Sequence, residues 1–384
     1  MIYLDNAATT YPKPEAVYQA IDRCMREYNA NPGRSGHKMA LSSGRAVYKT
    51  RELLCQLFNI ENPMQIIFTA NATDSLNLAL KGLLKGGDHV ITSSMEHNSM
   101  IRPIMALKEI GVENTVINCD ERGCLTAEQV EAAIQNNTKL IAITHASNVT
   151  GGLMPIEEIG KIAKKHNVYL LVDAAQTAGV YPVDVGKMHI DLLAAPGHKG
   201  LMGPQGTGIL YIAEGIELRH MKEGGTGSKS EYLTQPEMLP DRYESGTPNT
   251  PGIVGLGAGV AYILEEGIEK IRRHEEDLTE FFLEELKKMK GIKIYGPQDS
   301  KKQAAVVSIN LGEEDSSEVS YVLDQAFDIA VRAGLHCAPM AHRTIGSFEQ
   351  GTIRFSMGYF NTSEDIQKAI EAIKKIKEEL LTDE

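Results

Sequence analysis

Between residues 65 and 211 the chain alternates short, almost wholly apolar runs with stretches of helical spacing, and this alternation constrains the fold more than any other feature. Residues 66–69, 89–93, 115–118, 140–144, 169–172, 192–195 and 207–211 read as strands, and 71–84, 99–110, 126–134 and 156–166 as helices. Strands without polar alternation are buried on both faces. The pattern therefore predicts an α/β fold with a largely parallel sheet, helices on both sides and right-handed crossovers. After about residue 250 the pattern changes to a long helical tract at 254–288, strands near 305–310 and 352–356, and a Lys/Glu-rich helix at 363–381. That mixture predicts a smaller α+β domain.

A formal net charge of −12 over 384 residues argues against nucleic acid as the main partner. No apolar stretch is long enough to span a bilayer, so no membrane partner is expected. The start of the chain shows no basic segment before an apolar run, so no secretory signal is expected. The five cysteines (Cys24, Cys55, Cys119, Cys124 and Cys337) form no CxxC pair, and Cys119 with Cys124 is a poor zinc pattern. Their odd number in a long chain fits a reducing, cytoplasmic setting without a metal site.

In open parallel sheets, ligands bind beyond the carboxyl ends of the strands. The polar residues at those ends are Thr73, His97, Asn148, Asp173 with Gln176, and His198-Lys199. Asp173 ends an apolar strand, where a carboxylate can hold a protonated ring nitrogen; taken alone, it reads more readily as a cap for the next helix. Lys199 stands between glycines after another apolar strand, a place where desolvation would lower its pKa and suit Schiff-base chemistry; an isolated lysine there is otherwise a surface turn. His97 is suited to stacking on a planar ligand or to acid–base work, or to a structural hydrogen bond. Thr73, at a strand-to-helix passage, is placed for a phosphate or for ordinary capping.

Cys337 lies in Arg332-Ala-Gly-Leu-His-Cys337-Ala-Pro339, where Gly334 and Pro339 suggest a loop with an accessible thiol. Arg332 and His336 are nearby as cations that would lower a thiol pKa, although a free cysteine is more often a buried structural one. The Gly255-x-Gly257-x-Gly259 run falls inside a predicted helix and fails the context of a dinucleotide site. The glycines at 203–208 come without a Walker lysine.

Singly these signals are weak; their order is not. Tyr3-Leu-Asp-Asn-Ala-Ala-Thr-Thr10, Glu96-His-Asn-Ser99, His145-Ala-Ser-Asn148, Val172-Asp-Ala-Ala-Gln176, Gly197-His-Lys199 and Gly246-Thr-Pro-Asn249 together resemble class V aminotransferase-type pyridoxal-phosphate (PLP) enzymes. The segment ending at Cys337 resembles the active-site loop of cysteine desulfurases, in particular the SUF-type, selenocysteine-lyase-like branch. The resemblance implies a PLP-dependent transferase fold, aspartate aminotransferase-like (fold type I), with a mostly parallel seven-stranded sheet. It divides the chain into an N-terminal segment 1–15 packing with the small domain, a large PLP-binding domain 16–255 and a small domain 256–384 carrying the cysteine loop.

It also implies roles. Lys199 would be the Schiff-base lysine and proton carrier at the substrate α-carbon. Asp173 would pair with the ring nitrogen, Gln176 with the phenolic oxygen, and His97 would stack on the ring and carry a proton. Thr73 and His198 would hold the phosphate, and Thr247 would reach the phosphate of the partner in a homodimer with composite sites. Asn148 and Arg354 would bind the substrate carboxylate, and Cys337 would accept sulfur from L-cysteine for delivery to an acceptor protein. Pro196, Leu335 and Ala72 depart from the branch's usual serine, histidine and threonine. A selenocysteine lyase, another class V lyase or epimerase, and a non-catalytic PLP-binding dimeric scaffold are the competing expectations.

Overall fold

The computed structural model of the chain describes residues 1–33 and 35–382. A short strand β1 (Ile2–Tyr3) leads to helices α1 (Glu15–Arg23) and α2 (Lys38–Phe58). Then follow β2 (Ile66–Thr69), α3 (Ala72–Leu83), β3 (His89–Ser93), α4 (Asn98–Leu107), β4 (Glu113–Ile117), α5 (Ala127–Ala132), β5 (Thr138–Thr144), α6 (Ile156–His166), β6 (Tyr169–Asp173), β7 (Leu192–Pro196) and β8 (Gly208–Ile212). The rest comprises α7 (Thr250–Glu266), α8 (Ile268–Lys287), β9 (Ile292–Tyr295), β10 (Val306–Leu311), α9 (Ser316–Phe327), β11 (Ile329–Ala330), β12 (Arg332–Gly334), α10 (Pro339–Thr344), β13 (Thr352–Ser356) and α11 (Ser363–Thr382).

The central sheet has seven strands in the order β2-β8-β7-β6-β5-β3-β4. Only β8 runs against its neighbours, β2 and β7; the other adjacent pairs are parallel. Six carboxyl ends therefore open on one edge. The expected α/β architecture with a mostly parallel seven-stranded sheet is what the chain forms. The apolar strands divide their side chains between two cores. Ile141, Ile143, Leu170, Val172, Leu193 and Ala195 face one; Leu140, Ala142, Leu171, Leu192 and Ala194 face the other. With both faces buried, no polar alternation survives in the sequence.

A four-stranded antiparallel sheet, β12-β13-β10-β9, forms a separate unit. Its core gathers Val307, Ile309, Phe355, Phe282, Leu323 and Ile370, and Leu4 from the N-terminal segment joins it. Strand β1 pairs in parallel with β11.

The helical tract expected at 254–288 is two helices. Gly267, with φ of 86°, breaks it. The domain boundary expected at 255/256 falls inside α7, whose Leu256, Val260 and Ile263 lie in the large core. The handover between cores occurs along α8, which starts in the large core with Ile271 and ends in the small one with Phe282 and Leu286. The three spaced glycines of α7 are packing devices. A Cβ on Gly257 would meet Thr50 Oγ1 at 2.3 Å, and one on Gly259 would meet the Leu201 carbonyl oxygen at 2.5 Å. Helix α7 thus rests directly on the turn that carries Lys199.

Candidate active site

The carboxyl ends of five strands deliver the expected residues to one cavity of about 150 Å3. Thr73, His97, Asn148, Asp173, Gln176, His198 and Lys199 all line it, together with Ala72 and Pro196. Thr247 does not. It is exposed and lines a separate groove with Thr69, Ala70 and Gly206, where its hydroxyl accepts a hydrogen bond from Asn31 Nδ2.

Lys199 sits in the turn from β7 to β8, closed by bonds from Met202 N to Lys199 O and Gly203 N to Gly197 O, both 2.8 Å. The N-terminal segment clamps this turn: Thr9 and Thr10 hydroxyls and Lys13 Nζ all donate to the His198 carbonyl. Burial pulls the Lys199 ammonium down to about 8. Arg354 and Arg332 push the same way, against Asp173 and Asp5. The Asp173 side chain is buried, and burial raises its pKa although it accepts the Ala175 N–H at 2.9 Å. A carboxyl with raised proton affinity suits a shared proton on a ring nitrogen.

His97 caps α4. Its Nδ1 accepts the Ser99 N–H at 3.1 Å, which places the ring proton on Nε2. Burial, with Lys199, Arg332, Arg354 and Arg102 around it, holds the imidazole neutral, down to about 4. Beneath it Glu96 is buried, accepts from Ser93 Oγ and Thr144 N, and is pushed up to about 8 by burial.

Across the cavity, the small domain contributes an arginine pair. Arg332 and Arg354 lie opposite each other on β12 and β13. Arg354 is 1 % exposed; its Nη2 meets Asp5 Oδ1 at 2.7 Å and its Nη1 donates to the Asn148 carbonyl at 3.1 Å. Its Nε is buried without a partner. Arg332 Nη2 reaches Cys337 Sγ at 3.5 Å.

Cys337 is exposed, in a four-residue turn between β12 and α10. His336 and Cys337 both have positive φ, 47° and 59°. Left-handed backbone costs a non-glycine residue roughly 1–2 kcal/mol, so two in succession must be held from outside. Asn98 N donates to the Cys337 carbonyl and Asn148 Nδ2 to the His336 carbonyl, both 2.8 Å. The expectation that His336 acts as a cation beside the thiol is corrected. Its ring is buried, bonds Thr352 Oγ1, and is kept neutral by burial. The guanidinium in contact with the sulfur is that of Arg332.

Two partners escaped the sequence reading. Asp5 has no local signal because its role depends on a residue 349 positions away. Arg332 was marked for the thiol, but its register opposite Arg354 exists only in the folded sheet.

A family model described as aminotransferase class-V matches residues 2–369. The chain belongs to the class V aminotransferase family. Within this class V family its relatives are cysteine desulfurases. It is 36 % identical to a probable cysteine desulfurase of Methanothermobacter thermautotrophicus, over 98 % of this chain and 94 % of that one. A probable cysteine desulfurase of Pyrococcus abyssi is also 36 % identical, over 99 % and 95 %. The apo structure of a cysteine desulfurase from Thermococcus onnurineus superposes with a TM-score of 0.93 at 35 % identity, covering 98 % of this chain and 94 % of that one. Class V enzymes of this kind are generally PLP-dependent.

The class V cavity fits that cofactor on its own chemistry. It offers a buried carboxyl, an amine of lowered pKa and a flat neutral imidazole. At the other end lie the amino terminus of α3 and His198 Nδ1, a buried nitrogen with no protein partner.

Proposed function

We propose that this chain is a PLP-dependent cysteine desulfurase that converts L-cysteine to L-alanine and carries the sulfur as a persulfide on Cys337. The observation that carries the reading is an exposed thiol on a turn fastened by hydrogen bonds to Asn98, next to His97, and to Asn148; His97 and Asn148 line the Lys199–Asp173 cavity.

Lys199 would hold the cofactor's aldehyde carbon, Asp173 its ring nitrogen, Gln176 its phenolic oxygen, Thr73 with His198 its phosphate, and His97 would stack on the ring. When bound, PLP supplies an electron sink for the pair left at the substrate α-carbon. Lys199, whose ammonium form is disfavoured by burial, takes the α-proton. Arg354 and Asn148 orient the substrate carboxylate. Cys337 sulfur bonds to the substrate sulfur as the carbon–sulfur bond breaks. The electron pair stays with the three-carbon product; a proton carried by His97 to the β-carbon and the return of the α-proton from Lys199 complete alanine. The terminal persulfide sulfur then passes to an acceptor protein or is released as sulfide by a reductant.

The enzyme is a cytoplasmic homodimer in this reading, with Thr247 completing the partner's phosphate site; its position outside the Lys199 cavity of its own chain supports that. The functional units are segment 1–15, a large cofactor domain and a small domain carrying Cys337. No helix among the described residues is long and apolar enough to cross a membrane.

The test is to incubate the purified protein with L-cysteine and a reductant and to quantify alanine and sulfide, with Cys337→Ser in parallel. Equal amounts of both, lost in the variant, are expected. Alanine formation that survives in Cys337→Ser, or appears only from selenocysteine, would overturn the reading in favour of a lyase. A protein with bound PLP and no turnover of either would favour the scaffold.

A further inference from the structure

The turn that carries Lys199 is bounded by Gly197 and Gly200, and neither has room for a side chain. A Cβ on Gly197 would meet Thr207 Oγ1 at 2.1 Å, and one on Gly200 would meet the Ala178 carbonyl oxygen at 2.5 Å. Glycine is also the residue that restrains its own backbone least. The direction in which Lys199 leaves the turn therefore has to be fixed by bonds from outside it, and these come from the N-terminal segment. One end of that segment is tied to the small domain, through Asp5 Oδ1 to Arg354 Nη2 at 2.7 Å and Ala7 N to Ser356 Oγ at 2.9 Å. At the other end lies Lys13, a cation that no step of the chemistry uses.

Lys13 is half-buried, and its Nζ makes two short bonds, to the His198 carbonyl at 2.6 Å and to Thr10 Oγ1 at 2.5 Å. An ammonium only donates, so Thr10 Oγ1 accepts there and keeps its own proton to give. It reaches the Lys199 carbonyl at 3.0 Å, closer than the His198 carbonyl at 3.3 Å. The His198 carbonyl belongs to the peptide unit before the Lys199 α-carbon, and the Lys199 carbonyl to the unit after it. One ammonium thus holds both, the first directly and the second through a hydroxyl. Thr9 Oγ1 and Thr10 N also reach the His198 carbonyl, each at 3.1 Å. The Lys13 bond is the shortest of the set, and a charged donor makes a bond roughly twice as strong as a neutral one. Burial alone pulls the Lys13 ammonium down to about 8, with no carboxylate among the described residues to hold it up. We propose that Lys13 is a positioning residue for Lys199: by holding the two peptide units on either side of the Lys199 α-carbon, its ammonium aims the Lys199 side chain into the cofactor cavity. The functional weight of this hold rests on the reading of Lys199 as the amine that attaches the cofactor and moves the α-proton.

The test compares full-length Lys13→Met, Thr10→Val and Thr9→Val with the wild type. Three readouts are taken: the pH midpoint for acetylation of Lys199 in the cofactor-free protein, followed on its own peptide by mass spectrometry; the rate at which added PLP develops its visible absorbance; and KM and kcat for L-cysteine in the loaded enzyme. In Lys13→Met the Lys199 midpoint should rise by about one pH unit as the amine leaves its buried position. PLP uptake should slow about tenfold, and kcat should fall about tenfold with KM within about twofold. Thr10→Val cuts the arm to the Lys199 carbonyl and removes no charge, so it should move all three readouts the same way by a smaller amount. Thr9→Val touches the His198 carbonyl alone and should change them by about twofold at most. Unmoved readouts in Lys13→Met would overturn the proposal, as would equal losses in Thr9→Val, which would make the segment a general brace. If Lys13→Met does not fold, Thr10→Val decides, and an unmoved Lys199 midpoint there overturns the proposal. The kcat arm rests on the desulfurase reading and the uptake arm on the cofactor. The acetylation arm needs neither, so a wild type that fails to bind PLP or to turn over L-cysteine is distinguishable from a failure of the Lys13 hold.

Discussion

Lys199 shows how a single residue can be unfavourable for the fold and useful for chemistry. Its ammonium is held down to about 8, mainly by burial. A lysine titrates near 10.4 when unfolded, so below pH 8 both states are charged and the folded state bears the full desolvation penalty; above about 10.4 both are neutral and it vanishes. Lys199→Met in the cofactor-free protein should therefore raise Tm by about 2–4 °C at pH 7, with the gain fading between pH 8 and 10.4. A gain independent of pH would show that the effect is packing. Asp5 has the opposite character. It is the only carboxylate on the nearly buried Arg354 guanidinium among the described residues. Asp5→Ala leaves that charge unpaired and should cost about 3 kcal/mol, read as a lower urea midpoint. The strand-end residues Asp173, Lys199 and His97 could be marked from sequence because an apolar run ending in a polar residue is a local signal. Asp5, Arg332 opposite Arg354, and the burial of His336 were not legible, since each depends on contacts between distant segments.

Among the elements, the legible ones were those buried on both sides. Strands β5, β6 and β7 each carry an unbroken apolar run (140–143, 169–172 and 192–196), whereas β9, with one exposed lysine in four residues, and the two- and three-residue β11 and β12 carry too little pattern to read. The division of the α7–α8 tract hangs on the backbone of one glycine, Gly267, which periodicity does not register. Close approach is equally invisible. Gly160 lies in α6, where alanine would ordinarily gain up to about 1 kcal/mol. A Cβ there would stand 1.9 Å from the Met188 carbonyl oxygen. Gly160→Ala should therefore destabilise the protein by about 1–3 kcal/mol in urea unfolding, while the refolded enzyme keeps its L-cysteine turnover. A stabilised Gly160→Ala would mean that the 188 segment yields freely.

For the molecule as a whole, the buried histidines set the acid limit. His97, His145, His198 and His342 are each pulled down to about 4 by burial, and His336 lower. Folded and neutral, they resist protonation that the unfolded chain accepts from about pH 6.5, so stability is lost as pH falls from 6.5 towards 4. Glu96 and Glu275, pushed up to about 8, work the other way by holding protons that the unfolded chain releases above about pH 4.3. The five imidazoles outnumber these two carboxyls, so this set of groups takes up protons on unfolding near pH 5. The cofactor-free protein should accordingly lose Tm steadily between pH 6.5 and 4.5; a flat profile would mean that these imidazoles are hydrated in solution.

If Cys337 carries sulfur as proposed, the turn that bears it has a mechanical consequence for delivery. Only residues 335–338 separate β12 from α10, and two of their carbonyls are fastened to Asn98 and Asn148. Four residues pulled straight would span about 14 Å, but with both middle carbonyls fastened the sulfur can travel no farther than the swing of its own side chain. A long flexible arm could ferry a persulfide outward to a distant recipient; this mooring cannot. Under the proposed reading, a recipient would have to bring its own nucleophile to the sulfur, because the turn is moored on both sides.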